Sequence, residues 1–393
     1  MNGPTDFEIE LGRIEKDISE LERVALADGS GDAVNATRLA YRLYQHATLT
    51  GSLHELGRAE ASIDRGIGQV RQPSDLYFLK ASLAFTLHRL ADVRRSLETC
   101  ATLRDSTQGR ALQADLDCQE GRYDLAREGY ERLIDDDPTW DNLSRLAQLK
   151  AHMGDIAGAD LLYARAQDQL TAKEMRHYAW VELHRGRLDL SRGRFEDAQA
   201  HYERSGRAYS GYWLVDERVA ELLRVRGDIE QAIALCERVV ARAPRPEVQQ
   251  MLGELCQRIN RPAEAESWFE KACSTYLESA ARGEVHYYHH LADFYADVRL
   301  DGAEAVKWAL KDVELRDNFA TRAALAWAFY RASRFAQARD QIDRALASGA
   351  IDARLFYRAG MIYRATASHG QGERYLQMAA EWNPLHRTGH LHH

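Results

Sequence analysis

The chain has 393 residues, and 52 Lys and Arg against 60 Asp and Glu give a formal net charge of −8. That balance excludes a global basic field for nucleic acid or anionic lipid, and 7 prolines with 26 glycines exclude a collagen-like or heavily disordered chain. Hydrophobic residues at 45% suffice for a core, yet no run approaches the roughly 20 apolar residues of a membrane span.

The opening Met1-Asn2-Gly3-Pro4-Thr5-Asp6 lacks the basic and apolar regions of a signal peptide. Cys100, Cys118, Cys236, Cys256 and Cys273 form no C-x-x-C pair and are expected as reduced thiols in a cytoplasmic protein. Phe7, Leu11, Ile14, Ile18 and Leu21 then recur at steps of 4, 3, 4 and 3, the apolar seam of one helix. This helix is expected to cap the open face of whatever follows, with a homodimer contact through the seam, or through the C-terminal tail, as the alternative. Asp28-Gly29-Ser30-Gly31-Asp32 interrupts the helix, so residues 1–35 are expected as a capping helix and linker.

From residue 36 to 384 the sequence repeats. A small residue is followed twelve positions later by alanine in Ala114/Ala126, Ala147/Ala159, Gly186/Ala198, Ala220/Ala232, Gly253/Ala265 and Ala326/Ala338. Ala292/Ala305 carries one extra residue, and Gly360 pairs with Gly372. The second members are 33, 39, 34, 33, 40, 33 and 34 residues apart. Such a period belongs to stacked supersecondary units. Two antiparallel helices approach closely where small side chains meet. Gly121, Gly154, Gly193, Gly227 and Asn260 fall between them as turn residues. Tyr130, Tyr163, Tyr202 and Phe269 lie one helical turn beyond the alanine, on the same face. Pro138, Pro244 and Pro384 close units, where a missing N–H costs least.

Gly121-Arg122-Tyr123-Asp124-Leu125-Ala126 with Tyr130 and Pro138, and Gly193-Arg194-Phe195-Glu196-Asp197-Ala198 with Tyr202, resemble the tetratricopeptide repeat. The resemblance covers residues 74–384, and 36–72 more loosely. Cys236 and Ala309 stand where the family has an aromatic residue, and Ser333 and Ala367 where it has the turn glycine. The resemblance implies an all-α, right-handed α-solenoid of about ten antiparallel helix pairs, whose first helices line a concave groove.

The surplus of the two long intervals falls near 167–173 and 276–283, where extended preceding helices are expected. Thr171-Ala172-Lys173-Glu174 has capping-box form, so the next helix is expected to restart there.

Within 284–297, a helical period places Tyr288, Leu291, Ala292 and Tyr295 on the packed side. His286, His290, Asp293 and Asp297 fall on the opposite side, flanked by His289, and are expected to look into the groove. By the repeat register, Glu217 and Glu221 project from one first helix and Glu247, Gln250 and Glu254 from the next. Trp327, Tyr330, Tyr357 and Met361 follow as aromatic and soft apolar surface. The row suits capture of a basic or polar protein segment, its field focused by low-dielectric walls. Against that, Arg218, Arg224 and Arg258 are available to pair the carboxylates within the chain.

The alternative is a metal-binding or metal-delivery role. His286 and His290 at i and i+4, with Asp293 and Asp297, offer donors for Zn²⁺ or another divalent transition metal. Residues 385–393 form a histidine-rich tail that adds His390, His392 and His393. No H-E-x-x-H, phosphate loop, G-x-S-x-G or dinucleotide fingerprint occurs. The expectation is a non-enzymatic cytoplasmic scaffold with no cofactor, no nucleic-acid partner and no membrane insertion.

Overall fold

The computed structural model describes residues 3–28 and 33–385. The expected linker at 29–32 and His390, His392 and His393 of the tail lie outside the described residues. Every regular element among the described residues is a helix, so the fold is an all-α solenoid. None of these helices is long and apolar enough to cross a membrane. The chain divides into two compact units, Met1–Leu116 with Tyr209–Tyr212, and Asp117–Ala208 with Trp213–His393.

In the first unit, the N-terminal seam forms helix Asp6–Asp28 and packs on helix Ala33–Thr50. Phe7, Ile14, Ile18 and Leu21 are buried there, and Leu11 is half-buried. The seam is therefore packed on the next helix of the same chain. Segment 209–212 belongs to this unit. Asp6 accepts hydrogen bonds from the Ser210 N–H at 2.9 Å and hydroxyl at 2.6 Å, and the Tyr209 hydroxyl donates to Glu10 at 2.6 Å. Two hairpins follow, Ala33–Thr50 with Leu53–Gln69 and Ser74–Thr86 with Leu90–Thr99. The latter buries Ala81, Ala84, Val93 and Leu97.

In the second unit, helix Tyr123–Asp136 packs on a hairpin of Trp140–His152 with Ile156–Asp168. Six further hairpins follow in chain order: Met175–Ser191 with Phe195–Ala208, Trp213–Arg226 with Ile229–Arg242, and Pro246–Arg258 with Pro262–Ala281; then Tyr288–Asp293 with Gly302–Leu315, Phe319–Arg331 with Phe335–Ala347, and Ala353–Ala365 with His369–Trp382. The repeated alanines Ala126, Ala159, Ala198, Ala232, Ala305 and Ala338 are all fully buried. The large residue one turn beyond sits over the small residue of the first helix. A Cβ on Gly186 would come within 2.3 Å of the Tyr202 ring, and one on Gly253 within 2.4 Å of Phe269. A ring that close leaves no room for a methyl group.

The turn residues adopt the left-handed region whether or not they are glycine: φ is 82° at Gly154 and 90° at Gly227, but also 59° at Asn260, 58° at Ser333 and 59° at Ala367. Backbone freedom alone therefore does not explain glycine. At three places a second constraint acts, because the unit closes on itself. The Asn318 amide donates to the Gln119 carbonyl at 3.0 Å, the Ile351 N–H to the His152 carbonyl at 2.9 Å, and the Asn383 amide to the Ser191 carbonyl at 3.1 Å. At each contact a turn glycine lies against a later connection. A Cβ on Gly121 would meet the Asp317 carbonyl at 2.6 Å, on Gly154 the Ile351 side chain at 2.8 Å, and on Gly193 Pro384 at 2.9 Å. At Gly227, beyond this seam, a Cβ meets nothing within 4 Å.

Both long intervals are resolved locally. Helix Pro262–Ala281 is extended, with 20 residues, as expected for the second interval. Helix Ile156–Asp168 is not extended; the first surplus goes into the connection before a 17-residue first helix, Met175–Ser191. Glu174 does accept from the Thr171 N–H at 3.2 Å and hydroxyl at 2.9 Å, but Glu174 itself is the cap of the helix. The extra residue between Ala292 and Ala305 is absorbed by a π-helical turn, Phe294–Val298, which continues Tyr288–Asp293. A π-turn takes up one residue without breaking the hairpin.

Candidate functional site

The row of expected site residues lies along the first helices of five successive hairpins of the second unit. Asp293 accepts from Arg354 at 2.8 Å and from Arg358 at 2.7 Å, and these partners lie two hairpins further on. The row therefore makes contact across an intervening hairpin as well as with its neighbours.

Helix Trp213–Arg226 contributes Glu217, Arg218, Glu221 and Arg224, all buried. Arg218 donates to Glu221 at 2.8 Å and lies 3.5 Å from Glu217; Arg224 lies 3.5 Å from Glu254. Helix Pro246–Arg258 begins with proline at its first turn, where the missing N–H is harmless, and this fixes Arg245 just outside it. Arg245 donates to Glu247 at 2.9 Å and approaches Glu217 at 4.0 Å, with its guanidinium over the Trp213 ring. Gln250 donates to Glu254 at 3.0 Å and accepts from the Tyr276 hydroxyl at 3.2 Å. Arg258 donates to the Arg224 carbonyl at 3.2 Å.

In the next hairpin His290 is buried, stacked on Tyr276 with interplanar angle 5°, and its Nε2 stands 3.7 Å from Glu247. His289 packs on the His290 ring at 3.9 Å. Helix Tyr288–Asp293 begins after His286, and the π-turn rotates Asp297 away from the α-helical stripe. The uniform helix expected over 284–297 is thus corrected to three pieces. Asp297 accepts instead from the Trp327 indole N–H at 2.9 Å, while Trp327 stacks on Tyr330 at 4.9 Å and approaches Tyr357 at 6.1 Å.

The electrostatics follow from this pairing. Burial alone would raise Glu247, but Arg245, His290 and His286 outweigh it and hold the carboxyl down at about 2. Burial pushes Glu217 up against the pull of Arg245 and Arg218. It pushes His286 down to about 4 and His290 down as well, in spite of Glu247. At neutral pH both rings are uncharged and the carboxylates are matched by arginines.

Two expectations change. The carboxylates do not form an open acidic wall: Glu217, Glu221, Glu247, Gln250 and Trp327 are buried, and Glu254, His286, His289, Asp293, Tyr330 and Tyr357 are half-buried. Their charges are spent on arginines, because a buried carboxylate without a partner carries a large desolvation cost. Nor do His286, His290, Asp293 and Asp297 converge as a metal set, since both carboxylates are engaged by Arg354, Arg358 and Trp327. Among the described residues no group of three or more His, Cys, Asp or Glu is disposed to hold a metal ion. Arg218, Arg224 and Arg258 were visible in the sequence as counter-charges. Arg245, Arg354 and Arg358 were not, although the i, i+4 spacing of the last two marks one helix face.

The tetratricopeptide-repeat profile matches residues 183–246 and 220–280. Residues 183–280 are similar to the tetratricopeptide repeat. The match includes the small residues Gly186, Ala220 and Gly253 of three successive hairpins, and so covers Glu217, Glu221, Glu247, Gln250 and Glu254 of the row. No curated protein matches the chain. Among solved structures, a tetratricopeptide repeat protein from Parabacteroides merdae is similar at 16% identity and TM-score 0.37, covering 62% of this chain and 93% of its own. Yeast Tom70 is similar at 13% identity and TM-score 0.42, covering 95% and 90%. The Cut9–Hcn1 complex is similar at 14% identity and TM-score 0.37, covering 96% and 92%. The tetratricopeptide fold is that of a protein-interaction scaffold.

Proposed function

We propose that this tetratricopeptide array is a non-enzymatic cytoplasmic scaffold, without a cofactor, that takes a polar segment of a partner protein along the row in its second unit. The supporting observation is the split within that row. Buried, ion-paired residues (Glu217, Glu221, Glu247) form a rigid floor, while Glu254, His286, His289, Asp293, Tyr330 and Tyr357 retain exposure above it. A preformed wall keeps the entropic cost of binding low. With the carboxylates matched by Arg218, Arg245, Arg354 and Arg358, the surface selects hydrogen-bonding and aromatic contact over dense positive charge in the partner.

The test is site-specific photo-crosslinking in cells, with the crosslinker at His289, at Tyr357, and at Leu161, which is 63% exposed outside the row. Discrete adducts at His289 and Tyr357 but not at Leu161 are expected. Adducts confined to Leu161, or equal at all three, contradict the reading.

A further inference from the structure

A cavity of about 120 Å³ lies within the second unit, beside the seam where the Ile351 N–H meets the His152 carbonyl. His152, His184, Arg187, Glu221, Asp352 and Trp382 are among its lining residues. Its walls therefore come from both sides of the closure. A water needs roughly 10–15 Å³ on the same measure, so the space admits a small ligand with a few waters but not a nucleotide or a folded peptide.

The charges in this cavity are unevenly committed. Glu221 is occupied by Arg218 at 2.8 Å, and Asp352 caps its own helix by accepting from the Leu355 N–H at 2.7 Å. No carboxylate stands within ion-pairing distance of the Arg187 guanidinium among the described residues. A guanidinium in a recess, without a counter-ion, is the group that a small oxyanion satisfies by a two-pronged contact. His152 and His184 each bring a neutral imidazole, which carries one N–H to donate. The Trp180 ring fixes the His184 ring at 3.8 Å.

We propose that this cavity binds one small tetrahedral oxyanion, phosphate or sulfate, held by the Arg187 guanidinium with His152 and His184 as N–H donors. The state of the groups agrees with that geometry. Burial pushes Arg187 down, with Arg218 adding repulsion, and pushes His184 well down and His152 down. An anion placed among them relieves all three. This inference is independent of the partner-binding reading.

The experiment is equilibrium dialysis of the full chain against labelled inorganic phosphate at fixed ionic strength in chloride, with sulfate and acetate as competitors. One saturable equivalent per chain is expected, displaced by sulfate and not by acetate. Arg187→Gln is expected to weaken binding at least about tenfold with helix content unchanged, and Arg187→Lys, which keeps the charge but loses the fork, by several-fold. Absence of saturable binding by the wild type up to about 10 mM phosphate, or equal binding by wild type and Arg187→Gln, overturns the proposal. Should Arg187→Gln not fold, the wild-type isotherm and Arg187→Lys decide it.

Discussion

Asn318 donates from its side-chain amide to the main-chain carbonyl of Gln119 at 3.0 Å, across 199 residues of sequence. Its Oδ1 meanwhile accepts from the N–H groups of Ala320 and Thr321, capping the helix Phe319–Arg331. One side chain thus starts a helix and fastens a distant turn. The two roles separate by substitution. Asn318→Asp keeps the cap and replaces the donor by a carboxylate facing a carbonyl, whereas Asn318→Ala loses both. Asn318→Ala is expected to cost about 1–2 kcal/mol from the cap alone. In both variants hydrogen exchange of the amides around Gly121 is expected to accelerate. Unchanged exchange there in Asn318→Asp would show that the contact contributes nothing.

The turn glycines offer a second measurement. Gly227→Ala places a Cβ in open space, so its loss is limited to left-handed strain, roughly 1–2 kcal/mol. Gly154→Ala meets the same strain and also drives a methyl group to 2.8 Å from Ile351. Urea denaturation is expected to rank Gly154→Ala well below Gly227→Ala. Equal midpoints would mean that Ile351 moves aside freely.

Asp293 sits between two arginines, and Arg358 is only 4% exposed. Asp293→Ala removes the carboxylate that both cations donate to, leaving Asp297 as their nearby acidic group, and losing hydrogen bonds to a charged group costs about 1.5–3 kcal/mol. Adding Arg358→Met to that background removes one of the two cations, so the double variant should recover part of the loss. If the double variant is less stable by the sum of the two single losses, the residues act independently.

The pH dependence has a definite sign. His286 is pushed down from 6.5 to about 4, so between those values the unfolded chain holds a proton that the folded chain refuses. The stability it contributes is complete above 6.5 and is lost as pH falls toward 4. His290, shifted the same way by burial, adds to the effect. Glu247 acts in a lower window: its contribution is present above 4.5 and disappears as pH falls toward about 2. The urea midpoint is expected to drop between pH 7 and 5, and His286→Gln should flatten that drop in part. A wild-type midpoint that does not change over this range would contradict the desolvation of the two rings.

Much of this architecture is written locally and was legible for that reason. The alanines of the second helices are fully buried because a hairpin tolerates only a small side chain at the crossing, which leaves a fixed spacing in the sequence. The odd residue between Ala292 and Ala305 was equally visible; its conversion into a π-turn at Phe294–Val298 was not, since an inserted residue is compatible with a longer loop as well. The site was half legible. Glu217, Glu247, His290 and Asp293 lie on successive first helices, but their counter-charges come from Arg245, Arg354 and Arg358, of which the last two lie 61 and 65 residues from Asp293. The closure left no side-chain signature on one of its sides, because the acceptors at Gln119, His152 and Ser191 are main-chain carbonyls.

That closure changes how the second unit responds to truncation. In an open stack each repeat leans only on its immediate neighbours, and the ends are the first to fray. Here the early hairpins are clamped by late ones, so deleting the final pair would loosen residues near Gly193 long before them in the chain, and the unit is expected to melt as a ring and not peel as a ribbon.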